Sequence, residues 1–207
     1  MLKLSSLMRK TASATFRREL GLQKPEAAAG QWDMCRNGRY TERGISGRHG
    51  YGAEQWRIEP EFAVGVPAEL GDLAVLTEPA SVVAKAWDQI DHIAARAPID
   101  RGTVLVTGAG PIGLLAALLG VQRGLDVQVL DRVVDGPKPR LVAELGAAYH
   151  AGAVTDLEPA EIVIECTGAP PVVLDTIRRN APGGITCLTG VSSGGRSIEV
   201  DVGAANR

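Results

Sequence analysis

"VLVTGAGPIGLLAALLGVQRGLDVQVLDR" runs from Val104 to Arg132. It opens on a short β-rich run, turns through three glycines and continues as an apolar stretch of helical length before a second β-rich run, DVQVLDR. Within it, Gly108-Ala109-Gly110-Pro111-Ile112-Gly113 matches G-x-G-x-x-G. That hexapeptide is weak evidence by itself, and its context strengthens it. A strand precedes it, a helix opens at Pro111, and Asp131 ends the next strand roughly 20 residues on. The three glycines serve different physical ends. Gly108 permits the tight turn, Gly110 lets the backbone approach a pyrophosphate, and Gly113 lets helix and strand pack closely. Free N–H groups of Ile112 and its neighbours, together with the helix dipole, then favour the phosphates of a dinucleotide.

Asp131 would accept hydrogen bonds from the adenosine ribose hydroxyls, which favours NAD. Arg132 and Lys138 could each pair with a 2′-phosphate, which favours NADP. The plain expectation for Lys138 is a solvated surface charge, and both cofactors stand open.

Working outward, strands and helices alternate. TVLVTG, DVQVLDR, AAYH, EIVIECTG and GITCLTGV read as strands, and PIGLLAALLGVQRG, KPRLVAELG and PPVVLDTIRRNA read as helices. The pattern predicts a doubly wound α/β fold with a parallel Rossmann sheet over 101–207. A linking helix is expected over 71–100, with Leu73, Leu76, Val82, Val83, Ala86, Trp87, Ile90 and Ile93 at helical spacing and a kink or restart at Pro79. "YGAEQWRI" and "EFAVGVP" read as short strands. The glycine-rich, charged stretch from Ala27 to Gly50 reads as an irregular lobe.

The 207 residues can bury one good core and part of a second, and 25 glycines suit close helix-on-sheet packing. A net charge of −2 gives no reason to expect nucleic acid or an anionic membrane as partner. Three cysteines, Cys35, Cys166 and Cys187, show no paired spacing, so a reducing, cytoplasmic setting is expected rather than a disulfide framework. No apolar run approaches the roughly 20 residues that cross a bilayer. The first 26 residues carry Lys3, Arg9, Lys10, Arg17 and Arg18 before or beside the first acid, Glu19. That composition is shared by organelle transit peptides and by ill-packed termini; an unassigned, disordered N-terminus is the expectation.

In order, "YTERGISGRHG", "LTEPASVVAKAWDQI", "VTGAGPIGLLAALLG", "VLDR", "ECTG" and "LTGVSSGG" resemble the zinc-dependent glucose dehydrogenases of the medium-chain dehydrogenase/reductase superfamily. The likeness covers Ala27 to Arg207. It implies NAD(P)-dependent oxidation of an aldose C1 hydroxyl to a lactone, with hydride passing to the nicotinamide. It further implies that Glu42 hydrogen-bonds sugar hydroxyls, and that Glu78 binds sugar or metal beside a zinc ion. Thr167 and Gly168, and Thr189, Gly190 and Val191, would contact the nicotinamide half. No catalytic residue is assigned.

Departures from the family pattern shape the remaining expectations. The resemblance implies a catalytic zinc held by a Cys and a His-Glu pair in an upstream GroES-like barrel, and no stretch here resembles that segment. Of the four cysteines implied for a structural zinc lobe only Cys35 stands, with Gly21, Lys24 and Ala27 where the others would fall. Cys35, His49 and Glu78 are ligand types, but nothing in their spacing gathers them. The expectation is therefore a fragment that does not retain zinc: residues 27–70 a partial remnant of the β-rich catalytic domain, and 101–207 a coenzyme domain truncated at its C-terminus. Sugar oxidation by the isolated chain is expected to be weak or absent. A non-catalytic dinucleotide-binding module and a zinc-independent reductase of the same superfamily are the alternatives. A homo-oligomer is left open.

Overall fold

The computed structural model describes residues 41–45, 47–58, 63–96, 102–190, 199–200 and 203. The chain divides into two compact units, Met1–Ser81 and Val82–Arg207.

In the first unit, β1 (Glu42–Arg43) and β2 (Gly47–Arg48) form a two-residue parallel pair. The described parts of the two expected strands, 51–58 and 63–67, are irregular. β-Branched and aromatic residues favour a strand only where a partner backbone is alongside to complete the ladder, and these segments pair with no described strand. Trp56 is exposed and instead tilts its ring against Tyr51, 4.9 Å between centroids, while the Arg43 guanidinium caps Tyr51 from 4.7 Å. A 3₁₀ stretch, Ala68–Leu76, follows and bends at Gly71, whose φ of 48° suits glycine alone.

The α-helix α1 (Thr77–Ala94) starts two residues before Pro79. Proline therefore falls in the first turn, where no intrahelical N–H is lost. The core-facing stripe of α1 is Val83, Ala86, Trp87, Ile90 and Ala94. Leu73, Leu76, Val82 and Ile93, expected on the same apolar face, are exposed. A helix of 3.6 residues per turn presents only one stripe, and Val82 and Ile93 flank it rather than lie on it.

The second unit matches the alternation read in the sequence. Its strands are β3 (Thr103–Thr107), β4 (Asp126–Asp131), β5 (Ala148–Ala151), β6 (Ile162–Glu165) and β7 (Ile185–Leu188). The helices between them are α2 (Pro111–Val121), α3 (Pro137–Glu144) and α4 (Pro170–Arg179). All five strands run parallel in the order β5-β4-β3-β6-β7. From β3 the chain winds outward through β4 and β5, then returns to the other side for β6 and β7, so the winding reverses at β3. Ligands of such sheets bind outside the carboxyl ends of the strands at that reversal.

Two packing contacts hold α2 in place. Val104, Val106, Val127, Val129, Ile162 and Ile164 fill the sheet side of the core against Ala116, Ala117 and Leu119. A Cβ on Gly120 would stand 2.8 Å from Val127 Cγ2 and 3.1 Å from Trp87, so only glycine admits this approach of helix, strand and indole. Trp87 is buried and donates its Nε1–H to the carbonyl of Ala116 at 3.3 Å. Among the described residues, no helix is long and apolar enough to cross a membrane.

Candidate dinucleotide site

At the carboxyl end of β3, Gly108 turns the chain with φ 90°, and its N–H donates to Leu130 O at 2.7 Å. A Cβ on Gly113 would lie 1.7 Å from Gly108 O, so the helix start sits directly against the turn. Gly110 is the opposite case: its Cβ would meet nothing within 4 Å. Space is thus left open at one glycine and closed at the other. Gly110 is the N-cap of α2 and no side chain caps the helix; Pro111, at the first helical position, has no N–H to satisfy. Leu114 N–H already bonds Gly110 O at 2.9 Å. The N–H groups of Ile112 and Gly113, in the first turn, find no acceptor within the helix and stand at the positive end of its dipole. These residues fit a pyrophosphate.

Asp131 ends β4 beside this loop. Its Oδ2 accepts the N–H of Ala109 at 2.8 Å and its Oδ1 accepts that of Val133 at 3.1 Å. Lys138 Nζ sits 2.7 Å from Asp131 Oδ2. Lys138 is therefore an ion-pair partner of the site and not the solvated charge expected from the sequence. Its position in the first turn of α3 brings it back over the end of β4. Burial by itself would raise the Asp131 carboxyl, but the Lys138 ammonium and the Ala109 and Val133 amides outweigh it and hold it below the ordinary carboxylate range. Arg132 is exposed. Tyr149 Oη donates to Val133 O at 2.5 Å, steadying the loop that carries both charges.

On the far side of β3 lie the two other expected contact segments. The turn after β6 places Thr167 exposed and Gly168 buried with φ 61°. Thr189 follows the end of β7, and its hydroxyl lies 2.8 Å from Glu165 O and 3.2 Å from Cys166 Sγ. Burial pushes the Cys166 thiol up to about 11, offset in part by the Thr189 hydrogen bond and reinforced by Glu165 and Cys187. Val191 lies outside the described residues.

Sequence reasoning passed over Glu165. It is fully buried, with its carboxylate among Thr107, Thr167 and Gly168. The signal in the sequence was a carboxylate closing the apolar run Ile162–Ile164, since charged residues are almost never fully buried without partners.

Glu42 and Glu78 belong to the first unit. Glu42 stands on β1, and Glu78 is exposed in the first turn of α1, where its charge suits the helix dipole. His49 is exposed, and Cys35 lies outside the described residues. Among the described residues, no three or more His, Cys, Asp or Glu side chains gather in a way that could hold a metal ion. The described side chains thus do not assemble a zinc site.

Residues 71–207 match the family described as glucose dehydrogenase C-terminus. The chain belongs to that family. Glucose 1-dehydrogenase of Thermoproteus tenax is 42% identical over 180 residues, covering 86% of this chain and 50% of that protein. Glucose 1-dehydrogenase 2 of Vulcanisaeta moutnovskia is 41% identical over 187 residues, covering 89% of this chain and 52% of that protein. The chain spans about half the length of the curated relatives it matches. Among solved structures, the Haloferax mediterranei glucose dehydrogenase in complex with NADP, Zn and gluconolactone superposes with a TM-score of 0.82 at 29% identity, covering 93% of this chain and 57% of that one.

Proposed function

We propose that this family member is the coenzyme-holding part of an NAD(P)-dependent oxidoreductase of the glucose dehydrogenase type, which oxidises an aldose at C1 to a lactone. One observation carries the reading: at the sheet's reversal point, Gly110 leaves space open over an uncapped helix start while Gly113 presses that helix onto the turn. When bound, the nicotinamide coenzyme takes hydride from the sugar carbon.

This chain's own residues bind and orient. The N–H groups of Ile112 and Gly113 take the pyrophosphate, with Gly108, Gly110 and Pro111 shaping the approach. Asp131 takes the adenosine ribose, and Lys138 and Arg132 supply the positive charge that a 2′-phosphate requires. By family resemblance, Thr167, Gly168, Thr189, Gly190 and Val191 are the residues that contact the nicotinamide half. Glu42 and Glu78 are sugar-binding carboxylates by family resemblance, and Glu78 is in addition the metal-adjacent one. The resemblance relates 27–70 to part of a GroES-like catalytic domain, while apolar spacing makes 71–100 a linking helix and strand–helix alternation makes 101–207 the coenzyme domain. The resemblance also carries zinc as a family feature. The cysteine pattern supports a cytoplasmic setting.

Calorimetric titration of the protein with NAD+ and NADP+ tests the reading, followed by aldose oxidation assays with glucose and zinc. Saturable binding of at least one coenzyme is expected. Failure of both to bind a folded protein overturns it.

A further inference from the structure

We infer that Glu165 is a positioning residue for the nicotinamide half of the coenzyme, acting through the turn after β6 and the end of β7; this rests on the dinucleotide reading above.

Glu165 ties three strand ends together. Its Oε1 accepts the Thr167 N–H at 2.7 Å, the Thr167 hydroxyl, and the Thr107 hydroxyl at 3.3 Å. Its Oε2 accepts the Gly168 N–H at 3.1 Å. Its main-chain carbonyl accepts the N–H groups of Thr189 at 2.8 Å and Gly190 at 3.0 Å. β3, β6 and β7 thus converge on one residue at the carboxyl edge of the sheet. Burying a carboxylate is costly unless donors surround it. Here the donors are mainly those of the turn at Thr167–Gly168, so the buried charge is spent on holding that turn.

The surroundings leave the turn no room to drift. A Cβ on Gly190 would stand 2.8 Å from Glu165 Oε2 and 2.2 Å from Gly168 N, and one on Gly108 would stand 2.9 Å from Thr167 Cγ2. The Thr167–Gly168 turn is therefore wedged between the pyrophosphate loop and the end of β7. Asp131, on β4, marks the adenosine side of the reversal point, so β6 and β7 serve the other half of a dinucleotide laid across it. Glu165 is the only carboxylate among the fully buried side chains of the described residues.

A titration series separates the two halves of the ligand. Wild type, Glu165→Gln and Thr107→Val are titrated with the tighter-binding coenzyme and with its adenosine-side fragment, ADP (2′-phospho-ADP where NADP+ binds more tightly). Glutamine keeps the size but turns an NH2 group toward donors. We expect about a tenfold or greater loss of coenzyme affinity in Glu165→Gln, with fragment affinity within about twofold of wild type. Thr107→Val removes one donor and keeps the carboxylate, so about a two- to fivefold loss confined to the whole coenzyme is expected. Equal losses for coenzyme and fragment, or no loss for either, overturn the inference; if Glu165→Gln does not fold, Thr107→Val decides by the same criterion. Wild-type protein that binds neither ligand defeats the dinucleotide reading itself, and this inference with it.

Discussion

The carbonyl oxygen of Gly108 occupies the place where a side chain on Gly113 would begin, 1.7 Å from its Cβ position, whereas Gly110, between them in sequence, points into open space. Packing thus requires glycine at Gly113, whereas nothing in the fold requires it at Gly110, where the proposed dinucleotide would supply the reason.

Alanine substitution separates those reasons. Gly113→Ala forces helix and turn apart and should cost roughly 3 kcal/mol or more, about 10 °C in Tm. Gly110→Ala should leave Tm within a few degrees while weakening coenzyme binding by about tenfold or more, because the new methyl stands where the pyrophosphate approaches. Thermal melts paired with coenzyme titrations check both. A Gly110→Ala protein that binds coenzyme normally would show that the phosphates lie elsewhere.

The Asp131–Lys138 pair should govern coenzyme choice. Asp131→Ala removes the ribose acceptor and the negative charge that repels a 2′-phosphate, shifting the NADP+/NAD+ affinity ratio upward by about tenfold. Lys138→Ala should shift the ratio the other way, by a smaller factor, because this partly exposed ammonium is screened by solvent. Competition titrations with the two coenzymes read the ratio directly; movement in the same direction for both variants contradicts the assignment.

Acid titration should expose the same pair. The Asp131 carboxyl is held below its ordinary value, so its stabilising contribution is complete above the unfolded-state value near pH 4 and fades as pH drops through the lower folded-state value. The Tm difference between wild type and Asp131→Asn should therefore be constant from about pH 5 upward and shrink below about pH 4. A difference that persists unchanged into strong acid would place the effect in packing instead.

Alkylation reports on the turn after β6. With the Cys166 thiol pushed up to about 11 and Cys187 also raised by burial, both remain protonated at neutral pH. Peptide mapping after brief iodoacetamide treatment of native protein near neutral pH should find neither modified, with labelling of Cys166 appearing on unfolding. Rapid native labelling of Cys166 would mean the turn opens readily.

Glu165 illustrates how much of the site the linear chain conceals. Read along the strand, it is a polar residue at the end of an apolar run, as common a feature as Asp131 at the end of β4. What distinguishes it is that Thr107, far back in the chain, arrives beside it through strand pairing, Thr107 opposite Glu165. Lys138 departs from expectation for a related reason: set between Pro137 and Pro139 it reads as a surface charge, and only the path of the chain after β4 folds it onto Asp131. The strands expected at 51–58 and 61–67 differ in the other direction: in their described parts, 51–58 and 63–67, the residues suit a ladder but pair with no described strand.

Local chemistry settled the rest. Hydrophobic period and glycine placement act within a few residues, so the five strands, the three crossover helices, the turn at Gly108–Gly113 and the acidic end of β4 could all be read from the chain alone. Tertiary structure alone decided which charges are buried and whom they meet, because burial and pairing depend on residues brought together across the sheet rather than along it.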